Sequence, residues 1–147
     1  MIEFLKSMLD TTYDINIALV RIVAGIIIFP YGVQKVFPYF GWWGIKGTIE
    51  NMNAKNIPLF ITYLVIIAQF MGSIALLFGF LGRLAAFGNF IIFTGAMLTH
   101  LKSGWSMNWF NKKKGEGIEY FIMLLTLLLL VMINGSGAWS IDLALDP

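Results

Sequence analysis

Six side chains able to do acid–base or hydrogen-bond chemistry interrupt otherwise apolar stretches: Arg21, Lys35, Gln69, Asn89, His100 and Glu119. In hydrocarbon, ionisable and amide groups are costly, so each must have a partner or a role. These six are the candidate ligand-binding groups of the interior. No catalytic residue is assigned, because no nucleophile stands beside a base in any recognisable pattern. His100 is the sole histidine, and nothing around it has metal-ligand spacing, so no metal site is expected. Cysteine is absent, which excludes disulfides, CxxC redox pairs, thiol nucleophiles and thiolate-held iron–sulfur clusters. There is no GxGxxG followed by an acid, no Walker loop, no nucleophile elbow and no HExxH. Nucleic-acid binding has no support either, since no extended basic, aromatic-interleaved surface exists.

Spacing places these groups. Arg21, Gly25, Ile28, Gly32 and Lys35 recur at three- and four-residue intervals and share about 80° of a helical wheel. The stripe is cationic at both ends and small in the middle, a face suited to close approach by another helix. For Lys35, snorkelling to the interface and pairing inside the bundle both remain open; for Arg21, two turns into the run, an internal partner is expected. Gln69 needs a hydrogen-bond partner on a neighbouring helix or a ligand, since lipid offers none. His100 has the same alternatives: interfacial hydrogen bonding, or a proton-transfer or ligand role. Depth predicts a charge pair between Glu119 and Lys35, with His100 nearby. Arg21 is expected to be satisfied by Asn89, Gln69 or acceptors in the tails.

The elements that must position these groups are four apolar blocks, at 15–34, 57–81, 84–99 and 118–133. Each is close to the ~20 residues a helix needs to cross a bilayer. Only 12% of the chain is charged and 59% is hydrophobic, against about 25% charged in a soluble domain. The expected fold is all-α: an integral membrane four-helix bundle in a single domain, 1–147. Its spans are expected near 15–36, 57–81, 83–101 and 117–134. The amino terminus carries Glu3, Asp10 and Asp14 against Lys6, the reverse of a signal peptide's basic start, so the first span is expected to be retained. Ile45, Ile49 and Met52 recur at helical spacing, predicting a short interfacial helix after the first span. Pro58 is expected in the first turn of the second span, where its missing N–H costs nothing. Pro30 should kink the first span, and Leu81-Gly82-Arg83 should make a tight hairpin. Aromatic anchors follow the first span (Phe37, Tyr39, Phe40, Trp42, Trp43) and the third (Trp105, Trp109, Phe110). Lys35, Lys46, Lys55, Lys102 and Lys112 to Lys114 lie in or beside the 35–56 and 101–116 loops, whereas the other side offers Lys6 and Arg83. By the positive-inside rule those loops are cytoplasmic and the termini outside.

These residues also carry a resemblance. Arg21-Ile-Val-Ala-Gly25 followed by Gly32-Val-Gln34-Lys35-Val-Phe37 resembles the first-span signature of the DoxX family of small four-span membrane proteins. Gly79-Phe-Leu-Gly82-Arg83-Leu-Ala85, Gly117-Ile-Glu119 and the closing Gly135-Ser-Gly137-Ala-Trp-Ser140-Ile-Asp142 resemble its later motifs, in order, across about residues 16–145. One departure matters: Gln69 stands where the family commonly has a glutamate, so a proton or redox role of that acid has no acid to act here. The resemblance implies a multi-pass protein of the bacterial cytoplasmic membrane. Members are linked to membrane redox complexes and oxidative-stress responses, and the family takes its name from a subunit associated with a thiosulfate:quinone oxidoreductase. The expected function is therefore an accessory or scaffold subunit of a membrane-associated redox complex, with a quinone as the one cofactor to consider. Its expected partners are the bilayer, a soluble or membrane oxidoreductase subunit and further copies of itself. The alternative is a small-molecule or lipid carrier acting as an oligomer.

Overall fold

The computed structural model describes residues 2–38, 43–99, 101, 104 and 118–145. Among them the chain is all-helical: α1 Ile2–Leu9, α2 Ile15–Val36, α3 Gly44–Ala54, α4 Leu59–Phe78, α5 Gly82–Thr99, α6 Glu119–Asn134 and α7 Ile141–Leu145. Helices α2, α4, α5 and α6 close a ring in which each packs against the next, and α6 returns to α2. Helix α3 lies against α2 and α4 at one end of the ring; α1 and α7 meet at the other, where α1 also touches α5. Three of the helices, α2, α4 and α5, are long and apolar enough to cross a membrane, and α6 is a shorter apolar helix.

The bundle buries polar groups and displays apolar ones. Arg21, Thr48, Thr62, Gln69, Ser73, Asn89, Ser136 and Asp142 are buried, whereas Leu19, Ile26, Ile67, Met71, Ile91 and Ile133 are exposed. Water would penalise an outer surface of that kind severely, and lipid welcomes it. This is an all-α membrane protein. The small apolar core runs through Ala24, Ile28, Leu76, Ala86, Phe93, Leu124, Leu128 and Val131.

Element boundaries differ from the hydropathy blocks where turn chemistry overrides apolarity. The second block predicts helix through residue 81, but α4 stops at Phe78 because Gly79 adopts a left-handed C-cap, φ +71°. Phe80 and Leu81 then form the tight hairpin expected before α5. Pro58 is not inside the first turn but is the N-cap residue, its carbonyl accepting from Thr62 N–H at 3.1 Å. Helix α2 continues from Ile15 to Val36 with Pro30 inside it. At Gly32, α2 and α4 come into close contact. A Cβ there would lie 2.6 Å from Phe70 Cα and 2.7 Å from its nitrogen, so backbone meets backbone and no side chain fits. The apolar pattern predicts neither α1 nor α7. The anchors Tyr39, Phe40, Trp42, Trp105, Trp109 and Phe110, the lysines Lys102 and Lys112 to Lys114, and Gly117 lie outside the described residues.

Candidate functional site

At the end of the bundle that carries α1 and α7, four helix termini meet, and each has N–H or C=O groups with no partner inside its own helix. The chain answers each terminus with an ionised side chain of the sign its helix dipole favours. Arg21, fully buried, reaches from α2 to the carboxy end of α4. Its Nη1 donates to Leu76 O at 2.6 Å and Leu77 O at 2.9 Å. Its remaining donors go to the segment joining α6 to α7: Nε to Ser136 O at 2.7 Å, Nη2 to Ala138 O at 3.1 Å and Trp139 O at 3.2 Å. All five N–H groups of a guanidinium are thereby used.

Arg83 does the same for α6. Its Nη1 donates to Met132 O at 2.6 Å and Ile133 O at 2.9 Å, while Nε and Nη2 share Asp10 O. Acids cover the amino ends. Asp142 accepts from Leu81 N–H at 2.6 Å and Gly82 N–H at 2.9 Å, opening α5, and from Ser136 Oγ at 2.5 Å. Asp14 caps α2 through Asn16 N–H at 2.9 Å and Ile17 N–H at 3.4 Å. Thr11 bridges the two ends of the chain in this cap, donating to Asn134 O at 3.2 Å and accepting from Gly137 N–H at 2.8 Å. Ser140 starts α7, accepting from Leu143 N–H at 3.1 Å and donating to Gly137 O at 2.7 Å. Chemically, this constellation locks helix ends together, and its buried Arg21 and Asp142 have their polar atoms engaged.

Of the acceptors expected for Arg21, the tail supplies three and α4 the others; neither Asn89 nor Gln69 reaches it. Asn89 instead ties α4 to α5, its Nδ2 donating to Ala68 O and Ala85 O, each at 3.0 Å. Among the described residues, Asn89 Oδ1 and Gln69 Oε1 are buried without a hydrogen-bond partner. Among the described residues the expected Glu119–Lys35 pair is not found: Lys35 Nζ sits 5.8 Å from the centre of the Tyr31 ring. The reason is packing. Gly32 packs on Phe70, and Lys35, three residues further along α2, lies where α3 packs, its carbonyl accepting from Thr48 Oγ1 at 3.4 Å. Glu119, which begins α6, has interactions of its own. His100 lies outside the described residues.

The motif glycines pack where side chains cannot. A Cβ on Gly25 would meet Leu77 at 3.0 Å, and one on Gly82 would meet Ser136 Oγ. Gln34 is exposed. Asp14, Thr11 and Ser136 join the site without having been candidates on sequence grounds. For Asp14 a signal exists, an Asx residue directly before a helical apolar run. Thr11 and Ser136 act across more than a hundred residues of chain or through a turn, and neither leaves a local signature.

Fold and site together define a small helical membrane protein built on a buried arginine–aspartate helix-end lock. The chain belongs to the DoxX family, whose model matches residues 17–102. It is similar to "Inner membrane protein YqjF" of Escherichia coli (strain K12), 33% identical over 90% of this chain and 94% of that protein. It is also similar to "Putative oxidoreductase CatD" of Bacillus subtilis (strain 168), 27% identical over 95% of this chain and 90% of that one. No solved structure matches.

Proposed function

We propose that this protein is a structural subunit of a redox assembly in the bacterial cytoplasmic membrane, crossing it four times and presenting a rigid bundle to an oxidoreductase partner. The observation that carries the reading is the saturation of the helix-end lock. Arg21 and Arg83 donate to backbone carbonyls, Asp142 accepts from two backbone amides and the Ser136 hydroxyl, and one Asp14 oxygen caps α2, which suits a scaffold better than a turnover site. The oxidoreductase name of the Bacillus relative and the inner-membrane name of the Escherichia relative give the setting. In this reading α6 completes the fourth span and α3 lies on the membrane surface. Lys35, Lys46 and Lys55 are on the cytoplasmic side, and both termini are outside. A quinone-linked partner is the finer form of the proposal.

Gentle extraction followed by mass spectrometry of the copurifying proteins tests it. A flavin- or quinone-dependent oxidoreductase in fixed ratio to this chain is the expected result. Preparations that stay free of any such partner, yet carry solute flux in liposomes, would overturn it in favour of an oligomeric carrier.

A further inference from the structure

The bundle leaves most of α1 uncovered. Residues 2–7 are all exposed, Ile2 at 70% and Phe4 at 59%, and Leu9 is half-buried. Eight residues are too few to hold a helix in water unaided, where even Ala-rich peptides need about 12–15. The sequence of α1 is nevertheless patterned. On a helical wheel Ile2, Phe4, Leu5 and Leu9 gather within about 160°, while Glu3, Lys6 and Ser7 occupy about 100° of the other side. The helix is about 12 Å long, too short to cross a bilayer. It needs a surface to lie on.

Its position supplies one. The chain leaving α1 is pinned at Asp10, whose carbonyl accepts from Arg83 Nε at 3.1 Å and Nη2 at 3.0 Å. The same guanidinium holds the end of α6, and the Thr11 hydroxyl donates to Asn134 O. Asp10 thus sits at the level where α5 begins and α6 ends, the edge of the apolar helices. There α1 touches α5 and α7, which turn Leu84, Phe87, Ile141 and Leu145 outward. Two exposed aromatics belong to the same end: Tyr13, just before α2, and Trp139, which adopts φ +53° while Arg21 Nη2 holds its carbonyl. Aromatic rings collect at headgroup depth. The lipid-facing surface of the bundle therefore continues onto α1.

We infer that α1 lies in the membrane plane at the headgroup boundary of this leaflet, with Ile2, Phe4 and Leu5 in the acyl region and Glu3, Lys6 and Ser7 toward water. The surface that covers its apolar face is lipid. Glu3 and Lys6 offset each other, so the polar face has no net charge with which to select a charged head or a charged protein; apolar insertion holds the helix. The placement depends on the bilayer and not on any redox partner.

The chain has no cysteine, so single cysteines can carry a spin label in the whole protein, reconstituted in phosphatidylcholine bilayers. Leu5→Cys and Ser7→Cys lie about 160° apart on α1. Collision with oxygen, which concentrates in the acyl region, and with a water-soluble nickel chelate then reads the depth of each label. Oxygen should dominate at position 5, at a depth of ~5–10 Å below the phosphates, and the chelate at position 7. Adding Phe4→Ser to the Leu5→Cys chain should raise chelate access at position 5; an unchanged depth would overturn apolar insertion as the cause. Equal chelate access at both positions would put the helix in water, and oxygen dominance at both would bury it, each overturning the in-plane placement. Shielding of position 5 from both reagents, or dipolar broadening between labels on two copies, would overturn lipid in favour of a protein contact.

Discussion

Arg21 shows why a buried charge can be the most stabilising residue in a helical membrane protein. It meets no carboxylate in direct contact among the described residues; its partners are five carbonyls that lipid would leave unpaired. Replacing it with methionine strands those acceptors and should cost about 3–5 kcal/mol, visible as a fall in the thermal unfolding midpoint in mild detergent. A lysine in its place would not restore the lock. An ammonium has three donors around a point and cannot span α4 and the tail as the planar fork does, so Arg21→Lys should recover less than half the loss. Gln69 presents the reverse case. Its Oε1 is buried and unpaired among the described residues, so Gln69→Met should leave stability unchanged or raise it by about 1–3 kcal/mol. A clear drop in the same assay would show that the amide holds a partner in the membrane.

Among the elements, the α4–α5 hairpin and the α2–α4 crossing depend on features that hydropathy does not register. The start of α5 rests on one carboxylate, since Asp142 holds both the Leu81 and Gly82 amides. Asp142→Asn keeps only one acceptor oxygen and turns the other position into a donor facing donors. Faster hydrogen exchange at Leu81 and Gly82 is expected, with the middle of α5 little changed; uniform protection would argue against the cap. At the crossing, Gly32→Ala would press a methyl into Phe70 backbone, which must part the two helices. A loss of about 1–3 kcal/mol is expected, larger than for Gly95→Ala, where nothing lies within 4 Å of the added carbon.

For the whole molecule, the lock makes the two termini part of the bundle rather than its appendages. The segment 135–142 supplies Arg21 with three of its carbonyls and α5 with its N-cap, and the residues before α2 supply Asp10, Thr11 and Asp14. Removing the chain after residue 134 should therefore destabilise α4 and α5 as much as a core deletion. Limited proteolysis would show cleavage in the 79–82 turn, a site that stays protected in the intact protein.

Hydropathy and spacing alone determined that the chain is helical, membrane-embedded and arranged around a stripe from Arg21 through Gly32 to Lys35. The long apolar runs and the 3.6-residue period are local properties, and each can be read without knowing what a segment touches. The DoxX motifs were legible too, as residue types in order. What those motifs do was decided only in three dimensions. Arg21 and Arg83 select carbonyls on other helices, Asp142 selects amides sixty residues away, and Lys35 finds an aromatic ring in place of Glu119. Such choices follow from how the helices pack, as at Gly32, where the backbones of α2 and α4 touch. Apolarity says which surfaces face lipid, but only packing decides which polar atoms are left needing one another.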